Sequence, residues 1–153
     1  MKTVLIDTQE KLASFLEMRK SECYEASQND TKFVVSHYHF KNIDFNDVGF
    51  RNISFCPCTF ENVNFNEVSF SSSSIFNCTF INVKFNSMTF SNCQLFHLDL
   101  SNNIFNDVWF DECHMISTSF ENSVFIDNKF SDNNIASSCK FNNVNYIENK
   151  IAC

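Results

Sequence analysis

From Phe40 to Ile135 every fifth residue is apolar, and it is Phe at each of these positions except Ile75, Leu95, Leu100, Met115 and Ile135. After a one-residue slip around Ser137 to Cys139 the series resumes at Phe141, Tyr146 and Ile151. Two residues before each centre runs a second column, beginning Tyr38, Ile43, Val48, Ile53, Cys58 and Val63. It is apolar or small at first and turns polar at Asn103, Asn128 and Asn133. Two residues after each centre the chain mostly places Asn, Asp, Glu or Ser, from Asn42 and Asp47 to Asp127 and Asp132. One repeat reads V-x-F-x-N.

A step of five excludes the ordinary elements. On an α-helix it advances by about 500°, so successive Phe side chains would spiral over every face. On a flat strand five is odd, and alternate Phe side chains would point to opposite sides. A coil satisfies both columns when each unit is a short extended segment followed by a corner, with the centre and the residue two before it turned inward. Four such units close a square.

This pattern resembles the pentapeptide-repeat family, whose motif is a small residue, a polar residue, Leu or Phe, and two variable polar positions. The match spans about residues 36 to 153. The resemblance implies an all-β solenoid, a right-handed quadrilateral β-helix with about 20 residues per coil. At the spacing of neighbouring strands this gives about six coils and a rod roughly 25 to 30 Å long. The position two before the centre is usually small in the family, so Tyr38, Leu98 and the Asn residues here predict local strain. The chain has one Gly, Gly49, and one Pro, Pro57. The corners fall instead to Asn, which tolerates left-handed backbone better than most residues.

Ahead of the repeat, residues 8 to 24 read as a helix with Asp7 or Thr8 as N-cap and Leu12, Phe15, Leu16 and Cys23 on one face. Lys11, Glu17, Arg19, Lys20 and Glu22 are expected mostly toward solvent. The first coil of a solenoid exposes unpaired backbone and apolar side chains, so this helix is expected to cap it. Residues 25 to 32 read as a polar linker. The division is a short α-helical cap and linker over 1–35 and a β-helix over 36–153.

Residues 20 apart stack in such a coil, which turns the sequence into a surface map. One column carries Asp47, Glu67, Ser87, Asp107 and Asp127, continued by Glu148 after the slip. Carboxylates roughly 5 to 10 Å apart repel, so this column calls for solvation or a basic partner. A second column, Cys56, Phe76, Phe96, Ile116 and Ala136, is apolar; it is either a contact surface or is covered by another segment of the chain. Asn ladders, Asn42 to Asn143 and Asn46 to Asn106, read as structural, because stacked amides bond along the rod.

The formal charge of −7 argues against direct binding to nucleic acid or to an anionic membrane. The run Val4, Leu5, Ile6 is too short for a signal peptide, and no run reaches membrane-spanning length, so a soluble cytoplasmic protein is expected. The eight Cys residues then read as reduced thiols, with Cys58 over Cys78 and Cys93 over Cys113 in the core. His97 and His114 share a face, but Cys113 should point inward, so no metal site is expected. Cys56-Pro57-Cys58 is one residue short of a redox C-x-x-C. Nothing assembles a nucleophile, a base and an oxyanion site, and the chain reads as non-enzymatic, with no cofactor.

The family includes proteins that shield DNA gyrase and related type II topoisomerases from inhibitors by imitating DNA in shape and charge. The resemblance therefore implies a protein partner, with a DNA-mimicking topoisomerase binder as its most concrete form. The alternative is a structural or targeting module of a bacterial effector or phage accessory protein. Homodimerisation through a solenoid end or through the apolar stripe is open.

Overall fold

The computed structural model describes residues 2–29 and 31–148. Each five-residue unit forms one short strand and turns a corner, so four units complete a coil with four faces. Face 1 stacks Phe33–Val35, Ile53–Phe55, Ser74–Phe76, Gln94–Phe96, His114–Ile116 and Asn134–Ile135 in a 6-stranded sheet. Face 2 stacks Val4–Ile6, Tyr38–Lys41, Cys58–Glu61 and Thr79–Ile81, then continues through single bridges at Asp99, Ser119 and Lys140. Face 3 begins with Asp44–Asn46 and Asn64–Asn66, and face 4 with Gly49–Arg51 and Ser69–Ser71. The longer strands Lys84–Ser91 and Ile104–Asp111 run around the corner between these two faces. The fold is a pentapeptide-type β-solenoid of about six coils with one short N-terminal helix.

All pairings are parallel and in register, as in Phe45 with Phe65, Phe65 with Phe85 and Phe85 with Phe105. The offset changes from 20 to 21 where the sequence slips: Ser119 meets Lys140, and Phe125 meets Tyr146. A turn absorbs the extra residue, with the Cys139 N–H donating to the Ala136 carbonyl at 3.0 Å. Ile151 lies outside the described residues.

Inside the coil the Phe side chains form stacked columns. Ring centroids are 4.9 Å apart for Phe45 over Phe65 and for Phe60 over Phe80, and 4.5 Å for Phe85 over Phe105. Burial of so many rings is the main term holding the coil closed, at ~25 cal/mol for each Å² of apolar surface removed from water.

The corners explain the Asn content. The residue two after each centre, from His37 to Asp132, has φ between 48° and 60°, Pro57 excepted. This left-handed conformation costs most L-residues about 1–2 kcal/mol, and Asn and Asp less. Asn42, Asn62, Asn82, Asn102 and Asn122 fill one corner throughout.

The strain expected at the position two before the centre does not arise at its Asn residues. Asn103 is 2% exposed, yet its Oδ1 accepts the Val83 N–H at 2.7 Å, and its Nδ2 donates to the carbonyls of Ser101 and Phe80. Asn128 and Asn133 repeat the arrangement with the N–H groups of Val108 and Cys113. Leu98 is buried without a polar group to satisfy. Tyr38, half-buried in the first coil, turns its hydroxyl to the cap.

The cap is helix α1, Gln9–Gln28. The Thr8 hydroxyl accepts the Lys11 N–H at 3.2 Å and so serves as its N-cap. Leu12 and Phe15 are buried, and the Phe15 ring lies 5.3 Å from both Tyr38 and Phe40, closing the first coil. The helix runs four residues past its expected end, so residues 25 to 28 are helical rather than linker. The Cys23 side chain is outside those described. Arg19 is not toward solvent: its side chain is 11% exposed, its guanidinium sits 4.4 Å from the Phe33 ring centroid, and Nη2 donates to the Tyr38 hydroxyl at 2.8 Å. The Glu22 carboxylate, 2.7 Å away, compensates this partly buried cation. The run Val4–Ile6 pairs in parallel with Tyr38–Phe40 and adds a strand ahead of the first coil.

Candidate functional site

The acidic column occupies the corner between faces 3 and 4. Asp47, Glu67, Ser87, Asp107 and Asp127 share the left-handed conformation there. The N–H groups of Asp47 and Glu67 donate to the carbonyls of Asn66 and Asn86 in the next coil, both at 3.0 Å, which fixes the column at strand spacing. Asp47, Glu67, Asp107 and Glu148 are exposed and Asp127 is half-buried.

The ion pairs of the described residues are on the cap and its entry, Lys11 with Asp7, Arg19 with Glu22 and Lys20 with Glu17, or on face 2, where Glu61 takes His39 and Lys41 and Glu121 lies near Lys140. Asp47, Glu67 and Asp107 form none among the described residues. The next corner, between faces 4 and 1, adds Glu112 and Asp132 in the same backbone conformation. A period-20 reading of that column would have found them. Lys84 and Lys129 begin strands on faces 3 and 4, so these faces are not uniformly acidic.

Beside the acids, Asn66 donates to Asn46 at 2.8 Å and Asn86 to Asn66 at 2.9 Å. At the corner between faces 2 and 3, Asn62 donates to Asn42 at 2.9 Å and Asn82 to Asn62 at 2.8 Å. These amides spend their hydrogen bonds on one another and are structural.

The apolar stripe lies on face 1. Phe76 pairs with Phe96 and Phe96 with Ile116, and all three are half-buried, as are Cys56 and Ala136. The Phe96 ring meets the His114 ring edge-on at 5.6 Å. On the other flank of the same face Ser54 and Ser74 are buried, and Lys32 Nζ donates to the Ser74 hydroxyl.

Chemistry in the core is muted. Cys58, Cys78, Cys93 and Cys113 are free thiols whose sulfurs donate to carbonyls at 3.3–3.4 Å. The contact with Cys58, followed by burial, pushes the Cys78 thiol far up, and Cys93 with burial does the same to Cys113. Cys78 and Cys113 therefore stay protonated, while the same contacts draw the Cys58 and Cys93 thiols below their ordinary value. Among the described residues no three His, Cys, Asp or Glu side chains converge as a metal site would require, and no helix is long and apolar enough to cross a membrane.

The sequence matches no family profile and no curated protein. Solved structures do match. A pentapeptide repeat protein, Rfr23, from the cyanobacterium Cyanothece 51142 superposes with a TM-score of 0.50 at 9% identity, over 71% of this chain and 90% of that one. QnrB1, a plasmid-mediated fluoroquinolone resistance protein, gives a TM-score of 0.39 at 8% identity, over 75% of this chain and 79% of that one. What Rfr23 shares with this chain at 9% identity is the fold: the chain folds as a pentapeptide-repeat β-helix.

Proposed function

We propose that this pentapeptide-repeat rod is a non-enzymatic protein-interaction module, and that the acidic corner of Asp47, Glu67, Asp107 and Asp127 meets a basic protein surface. The observation that carries this reading is the corner itself. A rigid ladder presents Asp47, Glu67 and Asp107 in line with no ion pair among the described residues. Positions one coil apart stand ~4.8 Å from each other, the same order as the ~3.4 Å per charge along one DNA strand. Because the backbone already fixes the column, a partner gains electrostatic attraction with little ordering cost.

The most concrete partner is a type II topoisomerase such as DNA gyrase, which must bind duplex DNA with a basic surface. A supercoiling assay with gyrase and increasing protein tests it. The reading expects inhibition, or protection of gyrase from a quinolone; absence of both removes the topoisomerase.

The half-buried stripe of Phe76, Phe96 and Ile116 favours a second reading, a structural or targeting module. The rod then spaces or localises a partner, or a second copy, held on face 1.

A further inference from the structure

The corner between faces 4 and 1 breaks the rule that the other Asn corner obeys. At the corner between faces 2 and 3, Asn42, Asn62 and Asn82 are consecutive, and their amides bond in a chain. Here the stack, which ends in Glu112 and Asp132, begins with Asn52, Ser72 and Asn92, all at positive φ. Their N–H groups are spent on the carbonyls of Ser71, Ser91 and Asp111. Ser72 is too short to bridge the amides above and below it. Neither Asn52 nor Asn92 has a side-chain hydrogen-bond partner among the described residues.

Beside the short Ser lies a cavity of about 460 Å³, lined by these three residues together with Thr31, Lys32, Arg51 and Gln94. Arg51 forms no ion pair among the described residues, and no described lining residue is a carboxylate. Proton logic fixes the remaining groups. The Lys32 ammonium can only donate, and it donates to the Ser74 hydroxyl. That hydroxyl is left to donate to Gln94 Oε1 at 3.0 Å, which leaves the Gln94 NH₂ free to donate. Burial pushes the Lys32 ammonium below its ordinary range, and the Cys93 sulfur partly opposes that shift. In a chain of net charge −7, this is a donor-rich cationic cavity.

We propose that this cavity binds the phosphate group of a small polyhydroxylated phosphate ester, with Arg51 and Lys32 as the charged clamp. Arg51 supplies the forked donor that matches a phosphate, and Lys32 a point charge. The amides of Asn52, Asn92 and Gln94 and the Ser72 hydroxyl bond the sugar-like hydroxyls. The lining holds no aromatic side chain on which a nucleobase could stack, and its amides and hydroxyl favour a polyhydroxylated ester.

Calorimetric titration of the full chain with glucose 6-phosphate, inorganic phosphate and glucose tests the proposal. Saturable binding of the ester in the millimolar range or tighter is expected, with phosphate weaker and glucose silent. Arg51→Gln and Lys32→Gln each weaken the ester by at least about tenfold, while Lys129→Gln, outside the cavity, leaves it unchanged. Arg51 is exposed, so its variant keeps the fold. No saturable ester binding overturns the proposal, as does equal affinity for glucose, or an Arg51→Gln variant that binds like the parent chain.

Discussion

Asn103 accepts the backbone N–H of Val83, exactly one coil earlier in the ladder, through Oδ1 at 2.7 Å, and returns Nδ2 to the carbonyls of Ser101 and Phe80. One buried amide thus serves three backbone groups of two coils. Asn103→Ala strips their partner and leaves a void, and is expected to cost about 1–3 kcal/mol. Asn103→Ser should lose less, because Ser123 in the same column accepts the Asn103 N–H at 3.2 Å and donates to the Leu100 carbonyl at 3.0 Å. Urea unfolding of the three proteins checks the order. Equal stability of the Ala variant and the parent chain would mean that the amide is dispensable.

Asn62 carries two burdens: φ of 52° and a place in the amide chain between Asn42 and Asn82. Asn62→Gly relieves the first and loses the second. Asn62→Val loses both and adds about 1–2 kcal/mol of left-handed strain. Thermal midpoints should fall in the order parent, Gly, Val.

The Glu61 carboxylate is held below its ordinary value of 4.5, first by the hydrogen bond from Lys41 and also by His39. A folded-state pKa below the unfolded one gives a contribution that is complete above the unfolded value and is lost as pH falls through the folded value. The thermal midpoint of Glu61→Gln should therefore lie below that of the parent near neutrality, and the gap should close between about pH 6 and pH 3. A gap constant with pH would show that the ion pairs are not its source.

Phe76 and Phe96 meet in register on face 1 and are half-buried. The double variant Phe76→Asp, Phe96→Asp should fold and lose self-association or partner binding, read by sedimentation velocity. Loss of folding instead would place the stripe under cover within the chain.

The coil was legible because an apolar centre every fifth residue has no other periodic solution, and Asn at the corners announced the left-handed turns. Three features were hidden for different physical reasons. Val4–Ile6 is a run of three residues, too short for any period, and only pairing with Tyr38–Phe40 makes it a strand. Arg19 looked solvated by its charge, yet Phe33, Phe15 and Tyr38 offer it ring faces while Glu22 offsets it. The Asn residues expected to strain the cross-section relieve it instead, because composition does not reveal which backbone groups a corner leaves unpaired. The acidic corner follows from the period, but that Asp47, Glu67 and Asp107 form no ion pair among the described residues needed the positions of Lys41, Lys140 and Arg19.

The acidic corner is tested most directly by competition between the protein and linear duplex DNA for gyrase. The comparison is between the parent chain and a variant with Asp47→Asn, Glu67→Asn, Asp107→Asn and Asp127→Asn, since Asn suits the left-handed corner and removes only charge. If the acidic corner is the contact, the parent displaces DNA and the variant, with an unchanged thermal midpoint, does so at least about tenfold less well, the loss shrinking as salt rises. Equal competition by both proteins, or none by the parent, would contradict it.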